Sequence, residues 1–275
     1  MKLTVWGSRG SLASAGPETI RYGGNTACVE VEGSDGSVLV LDAGTGMRRA
    51  GLSLVGDGRP VHVLLTHLHM DHIQGLGFFR PLFESDREIH IWGPPSTTQD
   101  LRTRLTKYLS PPLFPVRIRD LGSNIELHDV LAEPWAVGGF TITAAGIVHP
   151  GPTIGYRIEG DHARIAYMPD HEPILGGALI STKWLSGYVV AQDVDILLHD
   201  GQYTDDEYGQ RMGWGHSSIS HAARLADLAE ARDLVLIHHD PDHSDDLIDE
   251  MVETTARLRR AGTVRAAAEG MVLEA

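Results

Sequence analysis

Short runs of branched and aliphatic residues alternate along this chain with stretches whose apolar residues recur every three or four positions. The short runs, rich in Val, Ile, Leu and Thr, have the composition of β-strands. They predict strands at 2–6, 27–32, 37–42, 61–66, 89–92, 140–148, 153–159, 164–168, 195–199 and 234–237. The helical spacing is clearest in SISHAARLADLAEARD, with its charged outer face, and predicts helices at 46–54, 73–83, 97–109, 217–231 and 245–261.

The alternation of strands and helices over the whole length favours an α/β layered fold. The chain has 275 residues, of which 42% are hydrophobic, and this is enough to bury a large core. Neither a Ser/Gly-rich linker nor an internal repeat divides it, so we expect a single domain over residues 1–275. The proline-rich segment LSPPLFPV at 109–116 predicts a loop, which either lines a pocket or is an ordinary surface connection.

The balance of charge narrows the expected partners. A formal net charge of −14 repels long RNA or DNA unless a local basic patch overrides it, so we expect a small-molecule substrate rather than long nucleic acid. Cys28 is the only cysteine, which excludes an intramolecular disulfide, and we interpret it as a small buried residue. The amino terminus lacks the apolar run of a signal peptide, and no apolar stretch reaches about 18 residues. We therefore expect a cytoplasmic protein without a membrane span.

The strongest chemical signal is the motif THLHMDH at 66–72. It follows a predicted buried strand, VHVLLT, and precedes the apolar run IQGLGFF. Four side chains that can bind metals, those of His67, His69, Asp71 and His72, fall within six residues. Imidazoles and carboxylates suit zinc, iron or manganese. The motif therefore predicts a metal site, and a polar loop without a metal is the alternative.

Other polar side chains recur at the ends of predicted strands. Each follows an apolar run directly: His149, Asp170, Asp200, His238 and His239. In layered α/β folds, functional groups gather beyond the carboxyl ends of the strands. Taken alone, any of these residues could cap a helix or bind backbone. Together with the HxHxDH motif, they predict one converging site.

The order of these motifs resembles the metallo-β-lactamase superfamily, and within it the branch of ribonuclease Z-like and small phosphodiesterase-like proteins. HLHMDH is followed by a lone His149, then Asp170, then a histidine near residue 238. The segments GSRGS, YGGNTACVEV, LLHDGQY, GHSSISHAARLA and LVLIHHDP resemble further parts of that branch. The resemblance implies a four-layer αββα sandwich, with two sheets back to back, helices outside and a dinuclear site at one edge.

The resemblance also implies a ligand set for two divalent metal ions. Zn²⁺ suits the imidazoles, while the carboxylates admit Mn²⁺ or Fe²⁺. Seven side chains match the ligand positions of the family: His67, His69 and His149 for one ion, Asp71, His72 and His238 for the other, and Asp170 as the bridge.

The last ligand is open between two neighbouring histidines. His238 is preferred because it comes directly after the strand and three residues before Pro241, as in the family pattern. His239 is the alternative, and His243 fits less well. His171, beside the bridging aspartate, is interpreted as a supporting or helix-start residue rather than a ligand.

Asp200 and His216 form a second constellation. In the ribonuclease Z-like branch, an acidic residue and a histidine at these places pair near the scissile phosphate. A carboxylate fixes the imidazole tautomer and raises its basicity, and the imidazole can then assist the leaving group. The alternative is that His216 caps the helix predicted to start at Ser217. The family residue is usually glutamate, and the shorter aspartate here changes the pairing distance.

These residues predict a metal-dependent hydrolase in which Asp71 binds metal and orients the attacking water, while His216 and Asp200 assist the leaving group. The first hypothesis is a phosphodiesterase acting on a small, nucleotide-like diester, either cyclic or open. Ribonuclease Z-like RNA processing ranks second, because segment 97–124 holds few Lys and Arg for an RNA-binding arm. A lactone or ester hydrolase comes third, and a non-catalytic accessory protein last. The resemblance also allows a homodimer.

Overall fold

Two seven-stranded β-sheets form the centre of the fold in a computed structural model that describes residues 1–130, 132–173, 182 and 185–275. In spatial order, the first sheet contains β14 (Val272–Glu274), β1 (Lys2–Gly7), β2 (Cys28–Glu32), β3 (Val38–Leu41), β4 (Val61–Leu64), β5 (Glu88–Gly93) and β6 (Asn124–Asp129). The second contains β13 (Thr263–Ala266), β12 (Asp233–Ile237), β11 (Ile196–Asp200), β10 (Ala163–Met168), β9 (Ile154–Gly160), β8 (Phe140–Gly146) and β7 (Trp135–Val137).

Helices cover the outer faces of both sheets. In chain order they are α1 (Met47–Ser53), α2 (Met70–Ile73), α3 (Leu101–Thr106), α4 (Tyr188–Ala191), α5 (Asp205–Arg211), α6 (Ile219–Leu228) and α7 (Asp245–Leu258). Short 3₁₀ helices lie at Pro17–Thr19, Leu76–Phe78, Arg80–Phe83 and Ile118–Asp120. Within the described ranges, no helix is both long and apolar enough to cross a membrane.

Three apolar layers hold these elements together. Buried side chains of both sheets, such as Leu3 and Tyr156, meet in the central layer. The second layer lies between the first sheet and its helices and includes Phe79, and the third includes Met251 of α7 under the second sheet. Sheets with helices on their outer faces give an αββα sandwich, which confirms the predicted fold.

The central strands were predicted well and several peripheral elements were not. All ten predicted strands are present, with each end within two residues of its predicted position. The strands β6, β7, β13 and β14 and the helices α4 and α5 were missed. The predicted helix at 73–83 is wrong, because α2 ends at Ile73 and two 3₁₀ helices follow. Pro81 lacks the amide hydrogen that a continuous helix needs, and the amide of Gly75 donates to the carbonyl of Ala43 instead.

The strand directions bring the chemistry to one edge of the sandwich. β3 and β4 run parallel, as do β10, β11 and β12. Because β8 and β10 are both antiparallel to β9, their carboxyl ends also share an edge. The chain that leaves these ends carries the residues predicted for the site, and the functional groups gather there.

Candidate metal centre

The motif turn starts as β4 ends and is fixed by a buried carboxylate. Asp42 accepts hydrogen bonds from the backbone N–H of Thr66 at 2.7 Å and from its hydroxyl at 2.9 Å. Asp42 Oδ2 also lies 2.8 Å from His72 Nδ1. Since the carboxylate only accepts, His72 carries its proton on Nδ1 and presents Nε2 to the interior of the site. One buried aspartate therefore orients both ends of the motif.

The first cluster joins His67, His69, His149 and Asp170. His69 Nδ1 lies 3.2 Å from His149 Nε2. Asp170 Oδ2 lies 3.7 Å from His67 Nε2 and 3.6 Å from His149 Nε2. These four atoms are within 4.8 Å of one another, close enough for one cation to contact them all.

The second cluster joins Asp71, His72, Asp170 and His238 more tightly. His72 Nε2 lies 3.1 Å from Asp71 Oδ2 and 3.0 Å from Asp170 Oδ1. His238 Nε2 lies 3.1 Å from Asp71 Oδ2 and 3.2 Å from Asp170 Oδ1, and the two Nε2 atoms are 3.3 Å apart. Around a tetrahedral zinc with bonds of about 2.0 Å, ligand atoms lie about 3.3 Å apart. The cluster therefore has the spacing that a single zinc ion requires.

Two further features fit a pair of cations. Asp170 directs Oδ2 into the first cluster and Oδ1 into the second, which is the arrangement of a bridging carboxylate. His67 Nε2 is buried and has no hydrogen-bond partner among the described residues. A buried polar atom without a partner is costly, and a cation would satisfy it. All seven predicted ligands converge in this way, and their binding of metal stays a prediction.

The electrostatics of the clusters also favour cations. Burial holds the pKa of His67 well below its ordinary value, so its ring is neutral. Burial raises the pKa of Asp170, but the surrounding histidines outweigh burial and hold it well below the usual range. Burial lowers the pKa of His72, but three nearby carboxylates outweigh it and raise the pKa well above its ordinary value. The raised pKa favours a second proton on the His72 ring, at Nε2. A divalent cation competes with this proton for the same nitrogen.

The outward nitrogens of the remaining buried imidazoles are also fixed. His149 Nδ1 donates to the carbonyl oxygen of Gly215 at 2.8 Å, and His238 Nδ1 lies 2.9 Å from Gln202 Oε1. Such partners fix the tautomer and the ring plane of metal-binding histidines. The His238 ring also packs closely against the backbone at Gly10, where a Cβ atom would lie 2.2 Å from its Nδ1. This close approach explains why the second glycine of the segment GSRG, Gly10, has no side chain.

Asp200 and His216 form the predicted pair at the rim of the centre. Asp200 Oδ2 lies 2.7 Å from His216 Nδ1. Burial lowers the pKa of His216, but Asp200 and the two carboxylates of the metal centre outweigh it and raise the pKa to about 9. The His216 ring is stacked on that of His238 at 5.0 Å and meets the His149 ring edge-on at the same distance. His216 does not cap α6, because the side chain of Ser218 does so.

The alternative ligands point elsewhere. His238 adopts a left-handed backbone conformation with φ 65°, which turns the next residue away from the clusters. His239 Nε2 donates to the carbonyl of Ala267, and His243 Nε2 lies 3.0 Å from Glu207. His171 lies behind the site, where its Nδ1 is 2.9 Å from His199 Nε2.

The sequence analysis missed the groups that position the predicted residues. Asp42 and Gln202 each follow a strand closely, which is the same signal that identified Asp170 and Asp200. Glu172 gave no comparable signal. Its buried carboxylate accepts hydrogen bonds from the backbone N–H groups of Gly213 and Gly215 at 2.9 and 2.8 Å, and from the Tyr208 hydroxyl at 2.7 Å.

The fold and the clustered ligands together define the class of metal-dependent hydrolases with an αββα sandwich. Comparison with known proteins agrees: residues 38–239 match the model of the beta-lactamase superfamily domain, and the chain belongs to this superfamily. A ribonuclease Z from Myxococcus xanthus is 30% identical over 285 aligned positions, which cover 86% of this chain and 88% of that protein.

Solved structures show the same fold. The metallo-beta-lactamase fold protein YhfI from Bacillus subtilis has a TM-score of 0.74 and 21% identity, with 100% of this chain and 99% of that chain covered. A diphosphatase from the PhnP family has a TM-score of 0.70 and 21% identity, with 100% and 97% covered. At these identities the likeness concerns the fold.

Proposed function

We propose that this chain hydrolyses phosphodiester bonds in RNA, in the manner of a ribonuclease Z, at a centre of two divalent cations. The observation that carries the proposal is the pair of ligand clusters sharing Asp170, with the Asp200–His216 pair at their rim. The ribonuclease Z relative supports RNA as the substrate over a small diester, which the sequence analysis had ranked first.

The side chains divide the chemistry between them. Two divalent cations held this way supply Lewis-acid activation of water and of phosphate at neutral pH. Asp71 Oδ2 accepts the backbone N–H of Ser11 at 2.8 Å, which fixes the carboxylate that orients the attacking water. Asp200 holds His216 Nδ1–H, so His216 Nε2 donates a hydrogen bond or a proton to the departing oxygen.

The few basic side chains of segment 97–124 support RNA binding, because they outnumber its acidic ones on an otherwise acidic chain. Segment 97–124 contains five Lys and Arg and two Asp, against a net charge of −14 for the whole chain. Four of its basic side chains are exposed: Arg102, Lys107, Arg117 and Arg119. The segment packs beside the end of the HxHxDH motif. There the Tyr108 hydroxyl donates to the carbonyl of Gln74, two residues after His72, at 2.5 Å. Exposed positive charge on this segment would attract the phosphates of an RNA substrate.

A small phosphodiester is the second candidate. Segment 97–124 is folded against the helix layer of the first sheet, where Leu101, Leu105 and Ile118 are buried. A segment held this way offers a shorter reach to a large RNA than a projecting arm would. The overall negative charge also suits a small substrate better than a long polyanion.

Parallel assays separate these candidates. Purified protein would be given RNA with a 3′ extension, cyclic nucleotides, a lactone and bis(p-nitrophenyl) phosphate, each before and after chelation and with Zn²⁺ or Mn²⁺ restored. We expect metal-dependent cleavage of the RNA with the highest kcat/KM. Cleavage of cyclic nucleotides alone would favour the second candidate, and the absence of turnover on every phosphodiester would refute both.

A charge-reversal variant tests the basic surface. Arg102→Glu with Lys107→Glu should raise the KM for RNA by at least about tenfold at low salt and leave bis(p-nitrophenyl) phosphate hydrolysis unchanged. Arg257→Glu with Arg260→Glu reverses two exposed charges at the end of α7, so it is the matched control and should change neither. Equal RNA kinetics in all three proteins would remove segment 97–124 from RNA binding.

A further inference from the structure

A second group of metal-binding side chains lies on the first sheet, with no residue in common with the centre described above. We call His90, Glu126 and His128 the edge cluster. His90 of β5 pairs with Glu126 of edge strand β6. Two residues further along the same strands, Trp92 pairs with His128. Side chains two residues apart on a strand share a face, so all three members of the cluster face the same side of the sheet.

The tautomer of His90 is set by a neighbouring carboxylate. Glu88 Oε1 lies 2.8 Å from His90 Nε2, and a carboxylate at this distance accepts the proton of that nitrogen. Nδ1 then carries a lone pair, which can accept a hydrogen bond from His128 Nε2 or bind a cation. A carboxylate on the outward nitrogen of an imidazole is the arrangement that supports metal-binding histidines.

The lone pair of His90 Nδ1 points at two other ligand atoms. His90 Nδ1 lies 3.0 Å from His128 Nε2 and 3.5 Å from Glu126 Oε2, and the last two atoms are 3.8 Å apart. These spacings lie close to the separation of about 3.3 Å between ligand atoms of a tetrahedral zinc. We propose that the edge cluster is a peripheral site for a zinc-class divalent cation, with three protein ligands and an open coordination position.

The surroundings of the edge cluster hold its rings in place. Trp92 stacks on the His128 ring at 4.0 Å, and Glu88 holds the outward nitrogen of His90 at 2.8 Å. Side chains fixed before binding lose less entropy when the ion arrives. A cation here would join β5 to the edge strand β6.

His62 provides a matched control, because it lies in the same patch without offering a ligand atom to the edge cluster. Its Nδ1 accepts the Trp92 indole N–H at 3.4 Å. The comparison therefore sets His128→Gln and Glu126→Gln against His62→Gln, all in the full-length chain. Each protein is stripped with chelator, dialysed against micromolar free Zn²⁺ and analysed for zinc per chain, with thermal unfolding recorded with and without zinc.

We expect wild type and His62→Gln to bind one zinc equivalent more than His128→Gln, whatever the metal content of the other centre. Glu126→Gln should weaken that extra equivalent about tenfold or more. Zinc should raise the Tm of wild type and His62→Gln further than that of His128→Gln. Equal zinc content in wild type and His128→Gln would overturn the proposal, as would loss of the extra equivalent in His62→Gln.

Discussion

His149 donates its Nδ1–H to the backbone carbonyl of Gly215 at 2.8 Å, so a glycine loop sets the ring plane of a predicted metal ligand. Gly215 has φ 93°, and a Cβ atom there would lie 2.2 Å from Pro150 Cδ. Glu172 fixes this loop by accepting the amide hydrogens of Gly213 and Gly215. One buried carboxylate thus positions both His149 and the loop that leads into His216.

The first prediction concerns Glu172→Gln. Its amide NH₂ group would face at least one of the donors that the carboxylate accepts, and the loop should shift. We expect cation affinity at the first cluster to fall about 10- to 100-fold, measured by competition with a chromogenic chelator. Tyr208→Phe removes one donor and leaves both backbone hydrogen bonds, so its affinity should stay near wild type. If Glu172→Gln lost stability but kept full affinity, its positioning role would be wrong.

The bridging geometry predicts how metal content divides between variants. Asp170 contributes one oxygen to each cluster, so Asp170→Ala should weaken both cations, whereas His238→Gln should weaken one. His239→Gln, next in the chain, is the control, because its ring binds the carbonyl of Ala267. Elemental analysis after dialysis measures the difference. Metal loss from His239→Gln with retention in His238→Gln would reverse the assignment.

The predicted site came from a signal that is local in the sequence. HxHxDH and the polar residues after apolar strands stand out because parallel strands bring their carboxyl ends to one edge. Asp42 was missed although it has the same context, because its role depends on a partner thirty residues away, His72. Glu172 was missed for a different reason: it bonds mainly to backbone, and backbone partners leave no trace in residue types.

The fold was predictable where burial imposes a pattern and less so elsewhere. The central strands β10, β11 and β12 are apolar on both faces, and their composition alone identifies them. The edge strand β6 mixes exposed and half-buried residues, among them two charged ones, and was not predicted. The apolar run after the HxHxDH motif resembled a helix in spacing, but Gly75 and Pro81 divide it into turns.

A third prediction concerns stability in acid. Burial raises the pKa of Glu207, but hydrogen bonds from His243 and the Thr204 backbone outweigh it and lower the pKa from 4.5 to about 2. Because the folded pKa is lowered, the carboxylate stabilises the fold above pH 4.5, and this stabilisation is lost as the pH falls towards 2. Glu207→Gln keeps the capping box with Thr204, since glutamine serves equally there.

Urea unfolding of Glu207→Gln tests this over pH 3 to 7. Glu207 is partly exposed, so we expect a loss of under about 1 kcal/mol at pH 7. The difference from wild type should stay constant above pH 4.5 and shrink below it. Glu253→Gln, on the exposed side of α7, should show no such trend. A difference that grew towards low pH would contradict the assigned direction.

The last prediction separates metal binding from leaving-group assistance. His216 touches the rings of His149 and His238 but belongs to neither of the two ligand clusters, and its proton-bearing Nδ1 is held by Asp200. His216→Ala should therefore retain its metal and lose kcat by about 100- to 10,000-fold on a diester with a poor leaving group. On bis(p-nitrophenyl) phosphate, whose leaving group needs little protonation, the loss should be much smaller. Asp200→Asn should also lose more kcat on the diester with the poor leaving group than on bis(p-nitrophenyl) phosphate, because its amide leaves His216 in the wrong tautomer. An equal loss on both substrates would show that His216 acts on the phosphate or on the cations rather than on the departing oxygen.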